Sequence, residues 1–203
     1  MNNSMMSQIA QWLKEGRDDA EDLVDLPWKV EIEDGVLEAQ HPKIPFILYV
    51  REDENFIRLR VYTGIETALW NQEERLNITR TLLILNANVD LLKYVLEGLN
   101  EEVVLRIDLD KSSFEKKVFE DALVALLTGL YLMVRALKME EEFSQQLLER
   151  VIGMVRERME AGATRMDIIN FLTQTVGLNK NEAEEIVDEI MKSIKKDDLK
   201  GYM

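Results

Sequence analysis

The sequence predicts an α+β fold: an antiparallel sheet in the order α-β-β-β-α-β-β-α, followed by a C-terminal three-helix extension. Three observations carry this reading. Apolar residues recur every second position over 28–62, they recur at helical spacing on either side, and the β-branched run Val103 to Leu109 precedes a long apolar helix. The 203 residues suit one or two domains at roughly 150 residues each. A content of 46% hydrophobic and 32% charged residues is that of a chain that buries a core.

The first helix is expected from Ser4 to about Gly16, with Met5, Ile9, Trp12 and Leu13 on one face. Pro27 blocks its continuation, having no N–H to donate. Trp28-Lys29-Val30-Glu31-Ile32 then alternates apolar and polar, Asp34-Gly35 signals a two-residue turn, and Val36 to Ala39 returns. Whether this is one strand or two stays open. The turn His41 to Pro45 leads into Phe46 to Val50, and Glu52 to Asn55 leads into Phe56 to Tyr62. Residues 28–62 thus read as a meander of three main strands.

Residues 66–86 return to helix, with Leu76, Thr79, Leu82, Leu83 and Asn86 sharing a face. A short strand over 89–96, a turn at Gly98-Leu99-Asn100 and the strand Val103 to Leu109 follow. Ser112 or Ser113 is a plausible N-cap for a long helix, Phe114 to about Met139. Its centre, Ala122 to Leu127, is apolar nearly all round, so it needs a second cover besides one sheet.

The chain divides into 1–138, the α+β part, and 139–203, the helical extension. In the extension Leu147, Leu148, Val151, Ile152, Val155 and Met159 make an amphipathic helix that ends near Gly162. Thr164 with Asp167 forms a capping box, and the short helix it opens stops at Gly177. Asn179 caps a last helix with Ala183, Ile186, Val187, Ile190 and Ile194 on one face. About 65 residues in three helices bury little core alone, so the extension is expected to dock on the first part or on a second subunit.

Composition excludes several classes. Without cysteine there is no disulfide, thiol nucleophile or thiolate metal site. A net charge of −14 disfavours nucleic acid and anionic membrane, and both parts are acidic, at −9 and −5. No apolar run reaches the ~18 residues a membrane span needs, and the start lacks a signal-peptide pattern, so a cytoplasmic location is expected.

The reactive side chains are few. His41, the single histidine, sits in a Pro-flanked turn and reads as a surface residue, because no neighbour would orient it as a base. Asp108-Leu109-Asp110-Lys111-Ser112 opens like a calcium loop, but Ser113 stands where its glycine belongs and Phe119 where its glutamate belongs. The acidic clusters at 18–22, 52–54, 140–142 and 184–185 read as solvated charge, since adjacent carboxylates on a helix diverge. No phosphate-cradling glycine loop or nucleophile elbow is present. Most methionines, Met133 and Met154 among them, fall at core spacings.

The order of elements over 1–138 resembles the type III secretion chaperone-like fold, shared by small dimeric secretion chaperones and the bacterial sensory transduction regulator family. Leu82-Leu83-Ile84-Leu85-Asn86 closing the middle helix, the strand Val103 to Leu109 and the Ala- and Leu-rich helix after it carry the likeness. The resemblance implies dimers and binding of extended partner segments, and it brings no catalytic motif. The extension lies outside it. Together these readings predict a non-enzymatic, homodimeric module, chaperone-like or regulatory, that binds another protein and needs no cofactor. The alternative is a metal-dependent hydrolase built on carboxylates alone. The expected protein-binding residues are Trp28, Val30 and Ile32, the apolar face of an edge strand, with Trp28 either the anchor or a cap on the core under the long helix.

Overall fold

Pro27 and the alternation behind it set where the sheet begins. The computed structural model describes residues 5–200, of which residue 189 and residues 192–200 are described by backbone alone. Contacts divide the chain into two compact units, Met1–Glu140 and Glu141–Met203.

In the first unit, helix α1 (Met5–Lys14) precedes strands β1 (Lys29–Glu33), β2 (Val36–Gln40), β3 (Ile47–Glu52) and β4 (Phe56–Glu66). Helix α2 (Gln72–Asn86), strands β5 (Lys93–Glu97) and β6 (Glu102–Asp110), and helix α3 (Lys116–Leu137) follow. The fold is α+β, as the periodicities predict, with four strands before α2 rather than three main ones. Asp34 and Gly35 both take positive φ, 49° and 74°, which a two-residue hairpin turn needs and which glycine and aspartate tolerate. The turn therefore closes fully and makes β1 and β2 separate paired strands, Glu33 opposite Val36.

The six strands form one antiparallel sheet in the order β1-β2-β3-β4-β6-β5. Alternation places Leu37, Leu48, Val50, Leu59, Leu105 and Ile107 on one face, all fully buried. Helices α1 and α3 cover that face, with Ile9, Leu13, Phe119, Leu123 and Leu126 at 0% exposure. Trp12 joins the layer, stacked on Phe114 at 5.9 Å between ring centres.

Several expected details change. Helix α2 begins at Gln72, not 66, capped by Asn71, whose side chain accepts from the Glu74 N–H at 3.0 Å. Its buried residues are Ile78 and Leu82, while Leu76 and Leu83 face outward at 67% and 64% exposure. The strand expected over 89–96 is β5, over 93–97, because residues 87–92 are a turn with Leu91 at φ 63°. Ser112 and Ser113 lie in a 3-10 turn capped by Asp110 and do not cap α3. His41 is 1% exposed rather than on the surface. Its turn folds inward beside Ile44 and Phe46, and the ring lies 6.1 Å from that of Trp28.

Tyr94 of β5 ties the sheet to α3, donating its hydroxyl to the Gly129 carbonyl at 2.8 Å. Burial pushes its pKa from the ordinary 10.0 up to about 12. The fold holds the neutral phenol, so the stability this group lends is whole below pH 10.0 and is lost as the pH rises through about 12. Denaturant melts across that window should show a fall in stability that Tyr94→Phe makes shallower. An identical slope in the variant would contradict the assignment.

In the second unit, α4 (Glu140–Glu160), α5 (Arg165–Asn170), a π-helical turn (Phe171–Val176) and α6 (Lys180–Lys200) enclose a core of Val155, Ile168, Leu172, Ala183 and Val187. The capping box at Thr164 and Asp167 forms as the sequence predicts, and Gly177 ends the turn at φ 92°. Asn179 and Glu182 make a second reciprocal pair, each side chain accepting from the other's N–H at 3.0 and 3.1 Å. The short helix is thus longer than its α-helical part, continuing as a π-helical turn. The Ile194 side chain and the start at Ser4 lie outside the described residues.

Candidate functional site

A sheet with two ends has two edges, and a bare edge is a template for another strand. Here the edges differ. On β5, Tyr94 points its main-chain N–H and C=O away from β6. Asn86, the last residue of α2, takes both: its Oδ1 accepts from the Tyr94 N–H at 2.8 Å and its Nδ2 donates to the Tyr94 carbonyl at 3.1 Å. At its other end α2 is tied to the β5–β6 turn by Arg75, which reaches Glu101 at 2.5 Å. The helix therefore lies along the β5 edge and occupies it at Tyr94. The Leu-Asn helix end carries this contact, which sequence reasoning read only as a fold signature.

Among the described residues of the first unit, the β1 edge has no such cover. Because a two-residue turn makes Glu33 and Val36 a hydrogen-bonded pair, Glu31–Glu38 and Lys29–Gln40 are bonded pairs as well. Val30 and Ile32 then direct their N–H and C=O outward. Among the described residues no other backbone group takes them.

The three expected binding residues fall apart on this strand. Trp28 is 3% exposed and belongs to the core, its Nε1 donating to the Leu23 carbonyl and its N–H to the Leu13 carbonyl, both at 2.8 Å. Val30 is buried at 9% exposure, and Ile32 stands out at 53%. Trp28 therefore pins the entry of the strand, while Val30 and Ile32 offer the open main chain.

The sheet face opposite the helices is polar and charge-paired. Glu97 lies 3.2 Å from Arg60 and 3.9 Å from Arg106, while Asp108 takes Arg106 at 2.9 Å and Lys93 at 3.3 Å. Burial raises the Asp108 carboxyl, but hydrogen bonds from Arg106 and Lys93 outweigh it and hold the group below the usual range. The Asp53 carboxyl is also held low, chiefly by the Phe56 N–H and then by Arg58 at 2.6 Å. The Asp53 and Asp108 carboxyls are thus held ionised beside arginines, and neither is poised to exchange a proton near neutrality.

The other candidates for chemistry are dispersed. Asp108 and Asp110, the start of the calcium-like run, serve Arg106 and the Ser112 N–H respectively. Among the described residues no group of three or more His, Asp or Glu converges as metal ligands, and no helix is long and apolar enough to cross a membrane. In the second unit a shallow cleft of about 520 Å³ is lined by Arg158, Gly162, Asn170 and Phe171. The Arg158 guanidinium lies 3.8 Å over the Phe171 ring, and Asp167 at its rim is occupied by the Thr164 cap.

The chain belongs to the DUF8183 family, a domain of unknown function, whose model matches residues 8–137. A second model, HTH_78, also described as a domain of unknown function, matches residues 138–203. No curated protein and no solved structure matches the chain.

Proposed function

We propose that this chain is a non-enzymatic protein-binding module that works as a homodimer, with the β1 edge as its docking line. The observation that carries the reading is the asymmetry of the sheet. Asn86 seals Tyr94 on one edge, while Val30 and Ile32 keep their main-chain groups open on the other. Strand addition needs such a row of donors and acceptors, with a side chain beside it to bury, and Ile32 supplies that at 53% exposure. The paired carboxylates of the polar face favour a binding role over proton-transfer chemistry. The role proposed for this edge is chaperone-like or regulatory.

Sedimentation velocity of the full chain tests the homodimer. The expected result is a species of twice the 23.6 kDa chain mass at concentrations up to about 100 µM, the range in which a small interface holds. A single species at the chain mass throughout would end this reading.

A further inference from the structure

We propose that the occupant of the β1 edge is the β1 strand of a second copy, run antiparallel about a two-fold axis at Glu31. This rests on the homodimeric reading above and names its interface. In that register Val30 of one protomer lies opposite Ile32 of its partner, and Ile32 opposite the partner's Val30. All four are residues whose main-chain groups point outward, so the two pairs exchange four N–H···O=C bonds. The two six-stranded sheets become one.

Charge selects the register. The strand reads Lys29-Val30-Glu31-Ile32-Glu33, and with Glu31 on the axis each Lys29 stands across from a Glu33 of the other copy. Oppositely charged cross-strand neighbours stabilise a pair, and like charges oppose it. Sliding the copies two residues toward the turn would set Glu31 against Glu33 twice. Sliding them the other way would call on Trp28, whose N–H is already given to Leu13. The two Glu31 side chains meet on the axis, each 3.1 Å from its own Lys29, which offsets their repulsion. Ile32, half exposed on the helix-covered face, gains the partner's Val30 as a neighbour.

A second copy is favoured over an unrelated segment because the strand is complementary to itself in charge and in its outward pattern. The opposite edge is interrupted at its second residue, where Asn86 occupies Tyr94, so only β1 offers two successive outward residues at the middle of the strand.

Sedimentation of four full-length variants beside the wild type tests this. Ile32→Pro removes one outward N–H that no β2 bond uses, so the hairpin keeps its ladder. It is expected to weaken the dimer by at least about tenfold, with the circular-dichroism melt little changed. Lys29→Glu and Glu33→Lys should each weaken it, and the double exchange should restore it, which a misfolded variant could not do. A dimer indifferent to Ile32→Pro and to both charge reversals would overturn the β1 interface while leaving the homodimer intact. A wild-type monomer whose Val30 and Ile32 amides are protected only on adding a foreign extended peptide would overturn both.

Discussion

Gly16→Ala is expected to cost the first unit about 3 kcal/mol, the upper end for an overpacked site. Gly16 follows α1, where the chain turns back along the segment that leads into β1. Arg17 donates its N–H to the Asp25 carbonyl at 2.7 Å, so residues 16–17 and 25–26 run side by side. A β-carbon at position 16 would fall inside contact distance of the Leu26 carbonyl carbon and oxygen and of the Asp25 oxygen. These are backbone atoms and cannot swing aside as a side chain would. At Gly129, by contrast, the nearest atom is the Leu92 Cδ2 at the end of a flexible chain, with the Tyr94 hydroxyl at 3.3 Å. Guanidinium melts of the two alanine variants should therefore show the larger loss at position 16. A loss at Gly16→Ala below about 1 kcal/mol, the scale of an ordinary surface change, would refute the close approach.

The sequence exposes what is local and hides what depends on distant partners. Period-two alternation over 28–62 and the Asp34-Gly35 turn are properties of neighbouring residues, and the strands appear where they predict. The capping pairs Thr164–Asp167 and Asn179–Glu182 are legible for the same reason. His41 was legible as a turn residue but not as a buried one, because burial is decided by Trp28 and Phe46 folding over it. Leu82 is buried on the helical face the sequence points to, but Leu76 and Leu83 of that face are exposed, and nothing in the sequence says that Ile78 wins the core instead. The candidate site was legible in half. The first strand is an edge, as its mixed charge and apolar alternation suggest. That β5 forms the other edge follows from β6 pairing with β4, and that α2 occupies it at Tyr94 rests on one amide at Asn86. Neither leaves a periodic trace. For Trp28 the sequence left anchor and core both open, because an indole at the start of an edge strand has the same spacing whether it faces outward or inward, and its 3% exposure places it in the core.

Glu120→Ala is expected to destabilise the first unit by about 3 kcal/mol, since it strips the partner from two backbone donors. Glu120 lies on α3 and is 6% exposed, yet no cation neutralises it among the hydrogen bonds and ion pairs of the described residues. Its two oxygens accept instead from the N–H groups of Leu23 and Val24, at 3.1 and 2.7 Å. Those residues begin the 3-10 turn Leu23–Asp25, whose first N–H groups have no partner of their own. A carboxylate from a distant helix thus plays the part of a cap. The turn it holds matters to the edge strand, because the Leu23 carbonyl receives the Trp28 indole N–H and Trp28 leads directly into β1. Lys116, one turn earlier on α3, pairs with Asp25 and clamps the far end of the same turn. Gln at position 120 can offer one oxygen to Val24 but turns an amide donor toward the Leu23 N–H. Glu120→Gln should therefore lose less than the alanine but recover only part of the stability. Hydrogen exchange is the second reading: the amides of Leu23, Val24 and Trp28 should exchange faster in both variants, while those of β6 change only with global stability. If the alanine variant melted like the wild type with those three amides unchanged, the turn would be held by other contacts, and the route from α3 to the β1 edge would fail with it.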